Sequence, residues 1–358
     1  MKKLAIYQLL TLLLFVQILL VKLISLFPDN VEYYYSNGLY QHISKLFRMF
    51  FGWIPFSIGD IYYFLLGLLF ISGLFKFIKT KFRDAKYQLF KFGAYLSIFY
   101  FLFHFLWGLN YHRNSLYTNL ALEEREYSTE ELTSLTNDLL NKLTSAHLQI
   151  VENDSLKVTS PYSKSEILES TAFAYGSLSK KYPQYQYQQY SLKKSLYSLP
   201  LTYMGFSGYY NPLSGEAQVD HLVPKASLPM ISCHEVAHQL GVASESEANF
   251  IGFLAATNSD DKYFNYSGYL TAFKYSVAAV YYKDSVTSKE IINKIPIGIM
   301  KNIKESQEFW QSYQNDLEPF FKLFYDNYLK VNQQKDGLKG YSRMVNLLAA
   351  YHQKNGLD

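Results

Sequence analysis

The chain has 358 residues, enough for two or three domains or for one domain beside a membrane region. Only 18 % of residues are charged and 18 % are aromatic, led by 34 tyrosines and 27 phenylalanines, a bias toward core and membrane-interface surface. The net charge of +4 comes with no basic stripe, so nucleic acid is excluded as an expected partner; the single cysteine, Cys233, excludes an intrachain disulfide.

Three apolar runs precede residue 112. They are "LAIYQLLTLLLFVQILLVKLISLF" (Leu4 to Phe27), "IYYFLLGLLFISGLFKFI" (Ile61 to Ile78) and "FGAYLSIFYFLFHFLWGL" (Phe92 to Leu109). Each approaches the roughly 20 residues that cross a hydrocarbon core. Their only lysines, Lys22 and Lys76, lie near run ends, where the ammonium can snorkel outward. The first run has the basic start of a signal peptide, Met1-Lys2-Lys3. No small-residue cleavage site follows it, which favours an uncleaved anchor.

Basic residues set the orientation. Lys2 and Lys3 precede the first run, and Lys76, Lys79, Lys81, Arg83, Lys86 and Lys91 crowd the second connector. Both stretches are expected on the cytoplasmic side. The loop from Phe27 to Ile61 carries only Lys45 and Arg48 and is expected outside, as is everything after Asn110. Trp53, Trp107 and Tyr111 fall at the outer ends, where an aromatic belt is expected. His104 is the one ionisable group inside the third run; it reads as a neutral histidine packed against another helix rather than as part of a relay.

From residue 112 the composition turns polar. Ser128 or Thr129 caps a predicted helix whose stripe is Leu132, Leu135, Leu139, Leu140 and Leu143. "SKSEILESTAFAYGSLSKKYP" predicts another, stopped before Pro183. The tyrosine- and glutamine-rich "YPQYQYQQYSLKK" reads as loop or strand. "YMGFSGYYNPLSGEAQVD", with Asn211-Pro212 at its centre, predicts strand–turn–strand. "ASLPMISCHEVAHQLG" is helical, with Gly241 as its stop. In the next helix Ser244 and Glu247 have capping-box spacing. The tail after Ser267 is helical in several pieces.

The chemistry gathers at "HEVAH", His234 to His238. On a helix the two histidines share one face, one turn apart, as Zn²⁺ ligands must. Glu235 lies beside them and can take a proton from an attacking water. The helix is otherwise apolar, so these three polar groups are costly unless partnered. The bland alternative is a pair of satisfied structural histidines. Cys233 points about 100° away from His234 and reads as a small buried residue rather than a nucleophile or ligand.

A third protein ligand is needed. Glu245 and Glu247 are the candidates, and being two apart they cannot both face the metal from one helix. Glu247 suits the capping box, which leaves Glu245 freer. Asn249 lies one turn beyond Glu245 and could orient a ligand. Candidate transition-state donors are Tyr341 and Arg343 in "GYSRMVNLL", with Tyr209 and Tyr210 as others.

"HEVAH" followed by "ESEANFIGFLA" resembles the gluzincin pattern of membrane-embedded prenyl-protein and heat-shock zinc proteases. That resemblance implies Glu245 as zinc ligand and Asn249 at the position of the family's later acidic or amide residue. Only six residues separate His238 from Glu245, fewer than usual there, so the choice between the two glutamates stays open. Taken with "WIPFSIGD", "FLWGLNYHR", "SGYYNPLSGEAQVD" and "YLKVNQQKDGLKGYSRMVNLL", the chain resembles a family of uncharacterised bacterial membrane proteins typical of Bacteroidota and described as a domain of unknown function. The resemblance implies a mainly α protein: a three-helix membrane anchor over residues 1–111, then a zincin-like α+β domain with a small β-sheet over 112–358. The expected activity is that of a zinc metallopeptidase of the bacterial inner membrane. Its N-terminus would be cytoplasmic, its catalytic domain periplasmic, and its substrate a protein or peptide held along "SGYYNPLSGEAQVD" as an added strand. The rivals are a zinc amidase acting on cell-wall peptides and a non-catalytic zincin-fold binding or assembly module.

Overall fold

A computed structural model describes residues 2–79, 83–332, 334 and 341–357, without the side chains of Lys2, Tyr341 and Ser342. Lys81 of the basic connector lies outside the described residues. The fold is mainly helical with one three-stranded sheet.

Three helices are long and apolar enough to cross a membrane: α1 (Lys2–Ile24), α3 (Ile58–Lys79) and α4 (Ala85–Leu106). The third begins seven residues before the apolar run does. Hydropathy marks the apolar window, whereas the helical hydrogen bonds continue back through Lys91, Gln88 and Lys86. It also ends three residues early, where the chain turns into a single 3₁₀ segment, Gly108–His112. α1 packs along α4, with the Thr11 hydroxyl donating to the Phe90 carbonyl at 3.0 Å. None of the apolar window of α3 is buried within the structure.

The stretch expected as an outer loop is helical instead. Val31–Leu39 is a wide π-helix that runs into α2, Tyr40–Phe51. Tyr40, Ser44 and Arg48 recur every four residues, so they share one face, and all three are buried against the polar half of the chain. Trp107 is likewise turned inward, 5 % exposed, rather than standing in an aromatic belt, while Trp53 is 79 % exposed.

In the polar half, α5 (Thr129–Leu148) opens with a capping box between Ser128 and Glu131. Its predicted stripe is buried, with Leu135, Leu139 and Leu143 at 1 % exposure or less. Each such leucine contributes about 1.5–3 kcal/mol by leaving water, and Leu139→Ala would cost about 2–5 kcal/mol. Helix α6 (Lys164–Lys181) ends before Pro183 as expected. The tyrosine-rich patch resolves into a short turn and β1, Leu192–Lys194. α7 (Ser198–Met204) follows, then β2 (Gly208–Asn211) and β3 (Glu216–Val219). β3 is central, parallel to β1 and antiparallel to β2, so β2 is an edge strand. The turn between β2 and β3 is fixed by Asn211, whose side-chain oxygen accepts from Leu213 and Ser214 N–H, and by Gly215 at φ +65°.

The histidine-bearing helix, α8 (Leu228–Gln239), is surrounded by α6, α9 (Glu245–Thr257), α10 (Lys262–Lys283) and the sheet. Beyond these lie α11 (Ser285–Ile292), α12 (Ile297–Ser312), α13 (Glu318–Val331) and α14 (Tyr341–Asn355).

Candidate metal centre

Helix α8 stops where glycine allows it to. Gly241 takes φ +91°, its N–H bonds the His238 carbonyl at 3.0 Å, and Val242 N–H bonds the Ala237 carbonyl at 3.1 Å. The chain then reverses into α9. Gly252 lets the two helices touch: a Cβ there would lie 2.9 Å from the His234 backbone nitrogen. Glu245, the first residue of α9, is thereby delivered to the histidines.

His234 Nε2 lies 3.0 Å from His238 Nε2. The Glu245 carboxylate lies 3.3 Å from the first and 3.4 Å from the second. A tetrahedral zinc with bonds of about 2.0–2.1 Å needs ligand atoms about 3.3–3.4 Å apart. The donor set therefore fits a zinc ion. His238 Nδ1 is 2.7 Å from the Val242 carbonyl, so it carries the proton and leaves the Nε2 lone pair facing inward. Burial works to lower the His238 pKa, but the Glu245 carboxylate outweighs it and holds the ring up at about 9. Burial likewise works to raise Glu245, and the two histidines outweigh it, holding the carboxyl well below its usual range.

Glu235 is 3 % exposed, and its Oε2 has no hydrogen-bond partner. Burial pushes its pKa up to about 7; the two histidines oppose this and Glu245 adds to it. That value suits a general base working near neutrality. β2 passes directly over it, since a Cβ on Gly208 would meet Glu235 Oε1 at 2.5 Å.

Glu247 does not form the expected capping box. Ser244 makes no side-chain cap bond. Glu247 Oε1 instead accepts the Leu116 N–H at 2.8 Å, capping the helical turn Leu116–Asn119. The long-range donor wins because it is half-buried and would otherwise go unpaired. Asn249 lines the site one turn after Glu245.

The other candidates separate. Tyr209 and Tyr210 line the cavity, but the Tyr209 hydroxyl donates to the buried Asp60. Arg343 is exposed on α14 and does not line the cavity. The Tyr341 side chain lies outside the described residues. Cys233 is fully buried, its thiol pushed up by burial, and its carbonyl accepts from Tyr175 at 2.6 Å. His104 is buried against Tyr100, as a packed histidine would be. Tyr325 on α13 is a residue the sequence did not single out: its hydroxyl donates to Glu245 Oε1 at 2.6 Å.

The site opens into a cavity of about 600 Å³. Its wall includes Tyr63 of α3, Phe99 and Phe103 of α4, and Trp107 and Tyr111 just beyond. These come from the membrane half, which also closes the end of α8. Trp107 Nε1 donates to the His238 carbonyl at 3.1 Å. Tyr40 and Ser44 donate to Gln239 at 2.9 and 2.8 Å. Gln41 donates to Leu240 at 3.4 Å and Arg113 to Gly241 at 3.0 Å. In return, Glu216 of β3 accepts the N–H groups of Ile58 and Gly59 at 3.3 and 2.6 Å, capping α3.

Neither the curated proteins nor the solved structures contain a match to this chain. The family model described as "Protein of unknown function (DUF3810)" matches residues 35–349, from the middle of the π-helix to α14, and the chain belongs to that family.

Proposed function

We propose that this protein is a membrane-anchored, zincin-like zinc metallopeptidase. The observation that carries the reading is the convergence of His234, His238 and Glu245 on one point, with the Glu235 carboxylate, whose Oε2 has no hydrogen-bond partner, beside it. Zinc bound there would supply Lewis acidity and lower the pKa of a water ligand. The chain's own residues do the rest. Glu235 takes the proton of the attacking water and returns it to the departing amine nitrogen. The free edge of β2, with Gly208, Tyr209 and Tyr210 on the cavity wall, can hold an extended peptide by main-chain hydrogen bonds. Tyr325 orients Glu245 and keeps one of its oxygens occupied.

The membrane placement follows from three observations. Residues 40–48 and 107–113 both bond the end of α8, so the first connector and the chain after α4 share a side with the site. Three crossings produce that arrangement. The lysines of the N-terminus and of the second connector support a reading in which that side lies outside the cytoplasm, in the periplasm of a bacterial inner membrane. The cavity, walled in part by α3 and α4, then meets its substrate at the bilayer surface.

The test is zinc content of the full-length detergent-solubilised protein beside His238→Ala, Glu245→Ala and Glu247→Ala. About one zinc per chain, lost in the first two variants and kept in the third, supports the site. Wild-type protein without zinc would end the peptidase reading. Glu235→Gln should keep zinc and lose hydrolysis of a casein or peptide-library substrate.

A further inference from the structure

The cavity has two unlike ends, and α8 runs between them. Its C-terminal end meets the aromatic groups of the membrane half, through Trp107 and Tyr40. Its N-terminal half meets α10, where the Met230 N–H bonds Ser267 Oγ at 3.1 Å. One turn and two turns beyond Ser267 on α10 come Thr271 and Lys274, on the same helix face. Both line the cavity together with Ser227, Ile231 and Ser306.

Lys274 is half-buried, and among the described residues its ammonium makes no hydrogen bond and no ion pair. The other cavity lysine, Lys322, is paired with Glu318. The carboxylates that line the cavity, Glu235 and Glu245, belong to the metal centre. Burial holds the Lys274 amine below its ordinary range, the cost of keeping a cation there without a partner. A half-buried ammonium without a protein partner inside a substrate cavity is explained if a substrate anion supplies the partner.

We propose that Lys274 anchors a substrate carboxylate in the cavity that opens from the metal centre. The carboxylate is that of an acidic side chain or of a free C-terminus. The inference rests on the peptidase reading and deepens it.

The test uses full-length protein carrying Glu235→Gln, so that binding is read without turnover, with zinc and after chelation. The probes are acetylated, amide-ended alanine hexapeptides bearing one Glu or one Gln at each position, and the all-alanine peptide as free acid and as amide. Binding is measured by calorimetry. We expect one Glu peptide, or the free acid, to bind at least about tenfold tighter than its neutral partner. Lys274→Met should bring that ratio to about one and Lys274→Arg should keep it, with thermal unfolding unchanged in both. A gain confined to the free acid identifies a C-terminal carboxylate; a gain from an internal Glu identifies a side chain. Equal binding of acidic and neutral peptides, or a preference that survives Lys274→Met, overturns the Lys274 assignment alone. If no peptide binds with or without zinc, the peptidase reading itself falls and takes this one with it.

Discussion

Gly208→Ala probes the contact between the edge strand and Glu235, the proposed general base. The added methyl would lie 2.5 Å from Glu235 Oε1 and 2.6 Å from the Gln218 carbonyl oxygen. Ordinary contact begins at 3.4 Å, so the overlap is roughly 0.8–0.9 Å. A carboxylate alone could swing aside, but the Gln218 oxygen belongs to the β3 backbone. β2 must therefore lift, or Glu235 must move by nearly an ångström. Overpacking of this kind costs about 1–3 kcal/mol. Displacing a base by about 1 Å can cost on the order of 100-fold in turnover. His234, His238 and Glu245 are untouched, so zinc should stay at the wild-type level. The assay pairs peptide hydrolysis with zinc analysis and thermal unfolding in detergent. Gly176→Ala serves as control: that helical glycine has open space around its Cβ position, and alanine there should stabilise by about 0.5–1 kcal/mol. Wild-type turnover and stability in Gly208→Ala would refute the placement of β2 against Glu235.

Gly252→Ala should pry α9 from α8, because its methyl would press on the His234 backbone at 2.9–3.1 Å; weaker zinc retention against a chelator series checks it, and unchanged retention would count against the tight hairpin. Tyr325→Phe removes the 2.6 Å donor from Glu245 and should lower zinc affinity about 10–100-fold while leaving the fold intact. Glu247→Ala should keep zinc but lose about 1–3 kcal/mol, because the Leu116 N–H is left without its acceptor; loss of zinc there would reverse the two glutamates' roles.

The histidine pair was legible because its spacing is a property of the helix itself: residues four apart share a face whatever surrounds them. The stop at Gly241 and the strand–turn–strand at Asn211 are equally local. Glu247 shows where local reasoning ends. Its capping-box spacing was real, yet an unpaired N–H more than a hundred residues away claimed the carboxylate. Tyr325 left no trace, being one of 34 tyrosines with nothing in its neighbourhood to mark it. The stretch after α1 carried a signal that a hydropathy reading passes over. Tyr40, Ser44 and Arg48 form a stripe at helical spacing, but a polar one, so it describes a face that docks on protein rather than on lipid.

That docking face ties the apolar N-terminal helices to the folding of the polar half. Begun after Arg113, the polar half would keep every metal-site residue and lose the donors to four successive carbonyls, His238 to Gly241. At about 0.5–1.5 kcal/mol net for each hydrogen bond, the four together are a sizeable part of the roughly 5–15 kcal/mol that holds a domain together. The ribosome delivers those donors first. The helix that carries the histidines thus emerges after them, against a surface already made, and trimming the chain for solubility would remove the mould along with the apolar helices.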